Sequence, residues 1–366
     1  MKEFLQEYRV QLVVKGPLYV GSGQELKKKE YILDRKQKKI IVPALDRMYM
    51  YLKRRKLDTE YERFMVNDMK KDLGSWMTEH KIPAADINEW ALYQLDCGDA
   101  VIERGRTIQI MQCMKDAYGN PYIPGSSLKG MLRTILLSEC VTADAERYQR
   151  YKRDVLREAN QRSGRMSYLK RETKAIETEA FHTLQRSKTK TDMVNDSLAG
   201  LIVSDSKSLS VDALTLCQKI EYHTSGEIKR LNLLRECIKP GTVIDFTITI
   251  DSTKCQFRAE DIKRAVADFA KLYYEFFSGK FAQIAKPEKD TVWLGGGAGY
   301  VSKTITYPLF GQRGVNMTQT IFEHTGVPRQ HKHYIDTRLG VSPHILKMTM
   351  YQGKRYQFGE CSLRFL

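Results

Sequence analysis

Apolar and polar positions alternate along Tyr8-Arg9-Val10-Gln11-Leu12-Val13-Val14 with the period of a half-buried strand, which Gly16-Pro17 ends. Tyr31-Ile32-Leu33 and Ile40-Ile41-Val42 flank a charged turn from Asp34 to Lys38, the pattern of a hairpin. The three- and four-residue steps of Leu45, Met48, Tyr51 and Leu52 predict helix over residues 45–80. Residues 106–114 read as a strand that ends at the turn Asp116–Pro121. Pro124-Gly125-Ser126-Ser127 then opens the clearest helix start in the chain. Leu128, Leu132, Ile135 and Leu136 share one face there, and the serines are expected to cap the free amides. Further strands are expected at 201–206 and on both sides of Lys239-Pro240-Gly241-Thr242. A last hairpin is expected from Ile345–Met350 and Arg355–Phe358 about Gln352-Gly353-Lys354. An amphipathic helix is expected over 259–278, with Tyr273, Tyr274, Phe276 and Phe277 packing a core. Strands and helices alternate irregularly, twice over, which predicts an α+β chain of two units rather than a doubly wound sheet.

Between 144 and 192 the composition shifts. Thirteen Lys/Arg stand there against eight Asp/Glu with few branched apolar residues, which reads as a solvated helical insertion or arm rather than core. The expected organisation is therefore an N-terminal unit at 1–143, a basic helical insertion at 144–197 and a C-terminal unit at 198–366. Over the whole chain, 60 Lys and Arg face 44 Asp and Glu, a formal charge of +16, which favours a polyanionic partner. An anionic membrane would require an apolar span of roughly 18 residues or a lipid anchor, and neither is visible. Cysteines at 97, 113, 140, 217, 237, 255 and 361 form no CxxC pair, so a structural zinc site is not expected. Scattered reduced thiols fit the cytoplasm. These features point to a cytoplasmic RNA or DNA binder with no cofactor and no metal.

Lys129 and Arg133 stand four residues apart just inside the helix that follows Pro124. With Ser126 and Ser127 and the positive end of the helix dipole, they suit a backbone phosphate. The stretch Gly295-Gly296-Gly297-Ala298-Gly299 permits close backbone approach to a ligand, with Lys303 beyond it. It approaches the nucleotide-binding GxxxxGK[ST] pattern, but Ser302 stands where the second glycine is required. His331-Lys332-His333-Tyr334, near Arg329 and Arg338, has the residue types of a metal-independent ribonuclease, although a binding role for these cations is the stronger expectation. Asp96, Asp99 and Asp205 supply no metal cluster, and neither GxSxG nor HExxH occurs.

Taken in order, these segments resemble a known family. Pro124 to Arg133 resembles the signature helix start of the RAMP superfamily of CRISPR proteins. Gly16 to Gly23 resembles its first strand-loop, Leu201 to Ser206 its internal Val-Ser-Asp-Ser strand, and Leu294 to Thr304 its C-terminal glycine-rich loop. The order and size are most similar to the Csm-family subunit that caps the guide 3′ end in type III-A effector complexes. The resemblance implies two ferredoxin-like (RRM-like) domains and binding to the 3′ part of a single-stranded CRISPR RNA. It also implies contacts with backbone RAMP subunits and small subunits, target RNA reached through the complex, and a part in guide maturation and antiviral defence. The RNA-binding residues expected on this footing are Gly21, Ser22, Gly23, Ser126, Ser127, Lys129, Arg133, Gly295, Gly296, Gly297, Gly299 and Lys303, with no catalytic residue. The family's target-cleaving Asp belongs to the backbone subunit, and the comparable stretch here offers Glu25 among lysines. The rival readings are a metal-independent endoribonuclease that processes precursor CRISPR RNA, a P-loop NTPase, and a basic scaffold that touches only protein.

Overall fold

The alternation that begins near Tyr8 produces a strand, Leu5–Val14, whose Val10, Leu12 and Val14 are buried along one face. The computed structural model describes residues 4–100, 109–161 and 168–366. In it this strand is the centre of a five-stranded sheet in the order Thr291–Trp293, Glu360–Phe365, Leu5–Val14, Val243–Asp251 and Leu201–Val203, all antiparallel. One strand from before residue 143 thus shares a sheet with four from after residue 198, pairing directly with two of them. A six-stranded sheet runs Lys354–Gln357, Ile345–Tyr351, Leu214–His223, Ile228–Ile238, Ile110–Cys113 and Gly21–Leu26, with one parallel pairing, Ile110–Cys113 on Ile228–Ile238. Helices Gly125–Ala143 and Ala259–Phe276 pack on each other and reach the edge strands of the five-stranded sheet. One apolar cluster joins these helices to both sheets, from Leu12 and Ile248 through Leu132 and Ile262 to Leu216 and Ile220. The chain is a mixed α+β fold.

A third sheet, Ile32–Asp34, Lys39–Pro43 and Ala91–Asp96, carries a helical lobe. Its pleat sends Ile40 and Val42 into the main core and Ile41 into the lobe. The helix expected over 45–80 is three helices, Leu45–Arg54, Asp58–Asn67 and Leu73–Glu79. The reason is local hydrogen bonding. Asp68 Oδ1 accepts from the amides of Lys70 and Lys71, and Asp72 Oδ1 accepts from Ser75 N at 2.7 Å, so both carboxylates compete with the helical ladder. Periodicity survives the breaks because each piece faces one cluster, with Met48, Leu52, Phe64 and Trp76 buried.

The basic segment also differs from expectation. Helices Gln149–Ala159 and Lys170–Phe181 form, but Tyr151, Val155, Ala159, Ile176, Ala180 and Phe181 are buried and belong to the main core. The segment is not a solvated arm. Its apolar residues are sparse but recur at four-residue steps, enough for one buried stripe under a charged outer face.

Candidate nucleic-acid interface

The strand Thr291–Trp293 is fully buried, and the chain leaves it through the glycine run. Gly295, Gly297 and Gly299 have φ of +81°, +99° and +92°, backbone that only glycine adopts without strain. Space is the second constraint. A Cβ on Gly295 would lie 2.2 Å from the Tyr19 carbonyl oxygen, and one on Gly297 would lie 2.5 Å from Arg235 Nη1. Gly296 N donates to the Tyr19 carbonyl at 2.7 Å, which lays the loop on the stretch that leads into Gly21–Gly23. Beyond the loop comes a 3-10 turn, Val301–Lys303, with Ser302 Oγ buried and donating to the carbonyls of Ala298 and Gly299. The glycines lead into this three-residue 3-10 turn and not directly into an α-helix N-terminus, so the phosphate cradle of a P-loop is not built here.

Under the loop sits Arg235. Its guanidinium stacks over Tyr19 at 5.0 Å and Phe358 at 5.4 Å, and Nη1 makes only a long contact, 3.5 Å, with the Gly296 carbonyl. Nε is buried without a hydrogen-bond partner, and among the described residues no carboxylate pairs with this cation. A half-buried cation without an anion is costly unless something compensates it, and here the faces of Tyr19 and Phe358 lie against it. Arg235 lies opposite Cys217 in the six-stranded sheet. Two residues further along that strand stands Lys219, whose pKa is pushed down to about 8 by desolvation, with the neighbouring Lys347 and Arg235 adding repulsion. Lys347 Nζ is itself paired with buried Glu221 at 2.7 Å. Lys303 is exposed at its surface, yet local crowding and Arg235 lower its pKa as well. His331 also feels Glu221, Lys347 and Lys219, and burial moves its pKa down. Among the described residues no ion pair engages Lys219, Arg235 or Lys303, although Glu221 stands near Lys219.

The residues expected from sequence fall into two places. Gly21, Ser22 and Gly23 join the glycine-rich loop and Lys303 through Tyr19; Ser22 Oγ donates to the Gln112 carbonyl at 3.3 Å. Ser126, Ser127, Lys129 and Arg133 lie on the helix Gly125–Ala143. The serines do not cap it. Pro124 occupies the cap position, and the Gly125 amide donates instead to Asp205 Oδ1 at 2.7 Å. Gly125 is required there because a Cβ would meet the carbonyl oxygens of Val203 and Ser204 at 2.4 Å. Pro124-Gly125 is thus a packing joint onto the Leu201–Val203 strand. Arg133 is also engaged: Nη1 donates to Asp196 at 2.8 Å, Nε and Nη2 donate to Glu177, and the guanidinium lies 4.6 Å over Phe181. Lys129 is half-buried, its pKa lowered by that burial, and no ion pair engages it among the described residues. Sequence reasoning missed Arg235 and Lys219. Both sit half-buried in strands that carry other polar residues, so nothing in the sequence set them apart.

The glycine-rich loop thus lies over a cation-rich face on an α+β fold. The chain belongs to the RAMP superfamily, whose profile matches residues 11–302. It is 27% identical to the CRISPR system Cms protein Csm5 of Mycobacterium tuberculosis, over 99% of this chain and 98% of that protein. It is 26% identical to the protein of the same name from Streptococcus thermophilus, over 83% and 82%. Among solved structures it is similar in fold to a chain of a Csm–crRNA–target RNA ternary complex of a type III-A CRISPR–Cas system. The TM-score is 0.66 at 20% identity, covering 98% of this chain and 100% of that chain. The crystal structure of T. onnurineus Csm5 matches with a TM-score of 0.59 at 18% identity, covering 96% and 99%. No helix among the described residues is long and apolar enough to cross a membrane.

Proposed function

We propose that this chain is the RNA-binding subunit of a type III-A Csm effector complex. It caps the backbone at the 3′ end of the CRISPR RNA, supports maturation of that end and has no catalytic role of its own. The observation that carries the reading is Arg235, held under the glycine-rich loop without a carboxylate partner among the described residues. A guide of arbitrary sequence must be held by sugar and phosphate so that its bases stay readable, which calls for cations and close-packed backbone rather than base-reading side chains. The name shared by the relatives and the length over which they align support membership in such a complex. In the test, the complex is reassembled on a guide with one photoreactive nucleotide at either its 3′ or its 5′ end. This chain is expected to crosslink to the 3′ probe. Crosslinking to the 5′ probe alone, or a complex that forms without RNA, would overturn the proposal.

The lowered pKa of Lys219 gives a pH dependence with a definite sign. A lysine with pKa about 8 is charged below that value and neutral above it, so phosphate binding at high pH must first take up a proton. Affinity for single-stranded RNA is expected to fall by roughly tenfold between pH 7 and pH 9, since one unit above the pKa about a tenth of the group is charged. Lys219→Ala should flatten the profile. A profile equally steep in that variant would assign the effect to another group.

A further inference from the structure

Four of the seven histidines in the chain lie side by side next to the basic face. Ring centroids are 5.5 Å apart for His223 and His344, 5.2 Å for His333 and His344, and 6.0 Å for His331 and His333. Asp336 is fully buried at their centre. Its Oδ1 lies 2.5 Å from His344 Nδ1 and its Oδ2 lies 3.0 Å from His333 Nδ1, while the Ser342 hydroxyl donates to Oδ2 at 2.6 Å. One ligand atom from each of His333, Asp336 and His344 falls within 4.8 Å of the others.

We propose that His333, Asp336 and His344 bind a single divalent ion of the zinc class, a metal site that ties the basic 329–339 segment to the strand Ile345–Tyr351. Two imidazole nitrogens and one carboxylate oxygen form a donor set that suits Zn²⁺ and its neighbours rather than Mg²⁺ or Ca²⁺, which prefer all-oxygen shells. The three side chains come from separate local elements. His333 lies in a 3-10 turn, Asp336 starts a four-residue helix and His344 precedes the strand, so an ion would cross-link a largely exposed segment to a buried strand. Ser342 fixes the carboxylate from outside, as the supporting hydrogen bonds of metal ligands do. The cysteines take no part. His333 packs 4.6 Å from Phe322, and Phe322 lies 5.0 Å from Tyr300, directly after the glycine run. A metal here would therefore steady the flank of the interface that carries Arg329, His331 and Lys332.

The site rests on side-chain chemistry and not on the RNA reading, and its test needs no RNA. The full chain is stripped with chelator and titrated with Co²⁺ and then Zn²⁺. One equivalent of Co²⁺ should bring up the visible bands of a four-coordinate ion, and one equivalent of Zn²⁺ should abolish them. Zn²⁺ at a hundredfold excess over its Kd should raise the melting temperature by roughly 4 °C. His333→Ala with His344→Ala should bind at least about 100-fold more weakly while keeping its circular dichroism. His333→Ala alone, at a half-buried position, provides the same readout if the double variant does not fold. Absence of cobalt bands and of a melting shift in the unaltered chain would overturn the site, leaving Asp336 as a carboxylate hydrogen-bonded to two histidines. Undiminished binding by the variants would overturn it too.

Discussion

Replacing Lys115 by Met is expected to destabilise the chain by about 3–5 kcal/mol, the cost of leaving a buried carboxylate without its cation. The carboxylate is Glu236, which is fully buried on the strand Ile228–Ile238. Its Oε1 accepts from the Tyr93 hydroxyl at 2.7 Å, while Oε2 accepts from Cys113 N at 3.0 Å and from the Lys115 ammonium. Lys115 is nearly as enclosed, with 13% of its side chain exposed, and lies 4.6 Å over the Tyr93 ring. Three sheet segments meet at this one group: the strand of Glu236, its parallel neighbour Ile110–Cys113, and the Ala91–Asp96 strand that carries the helical lobe. Two neutral donors cannot replace an ammonium in so dry a place. The double variant Lys115→Met with Glu236→Gln should recover most of the loss, because it removes both charges and keeps the shape. Urea denaturation midpoints would measure both. A loss under about 1 kcal/mol for the single variant would mean that the pair is worth no more than an exposed one, and would remove it as the clamp between lobe and core.

That clamp also shows where the sequence stops being legible. Alternation along Leu5–Val14 and Val243–Asp251 announced both strands and their buried faces, since a period of two is a property of one strand by itself. The glycine run was legible for the same local reason, because positive φ and close approach leave no alternative to glycine. Contacts set by pairing between distant strands were not. Glu236 meets Lys115 only because Ile110–Cys113 lies parallel to Ile228–Ile238, and Lys219 nears Arg235 only through the register of Leu214–His223. The serine caps failed because a carboxylate from elsewhere, Asp205, reached the Gly125 amide first. Arg133 read as a free cation since Glu177 and Asp196 stand 44 and 63 residues away. The basic segment read as solvated because charge density was weighed above a sparse apolar stripe, and Phe181 with Ile176 shows that the stripe was enough.

The largest expected effect on binding belongs to Lys219→Ala combined with Arg235→Ala. A hydrogen bond to a charged group contributes about 1.5–3 kcal/mol, so losing two should weaken affinity for single-stranded RNA by roughly a hundredfold or more. The loss should be the same for two RNAs of unrelated sequence, since phosphates carry no sequence. The slope of log affinity against log salt should also flatten by about 1.4, at roughly 0.7 for each phosphate contact on a single strand. Arg133→Ala makes a sharp comparison. Its guanidinium is already matched by Glu177 and Asp196, so its removal should lower stability and leave the salt slope nearly unchanged. Arg235→Ala should do the reverse. It removes a cation that no carboxylate pairs among the described residues, so RNA affinity should fall, with stability losing only the stacking on Tyr19 and Phe358. An affinity insensitive to Lys219 and Arg235 but lost with Lys129→Ala would move the interface from the sheet under the glycine-rich loop to the helix Gly125–Ala143. A loss confined to one of the two RNA sequences would mean that the cations read bases, which a subunit holding a guide of arbitrary sequence must not do.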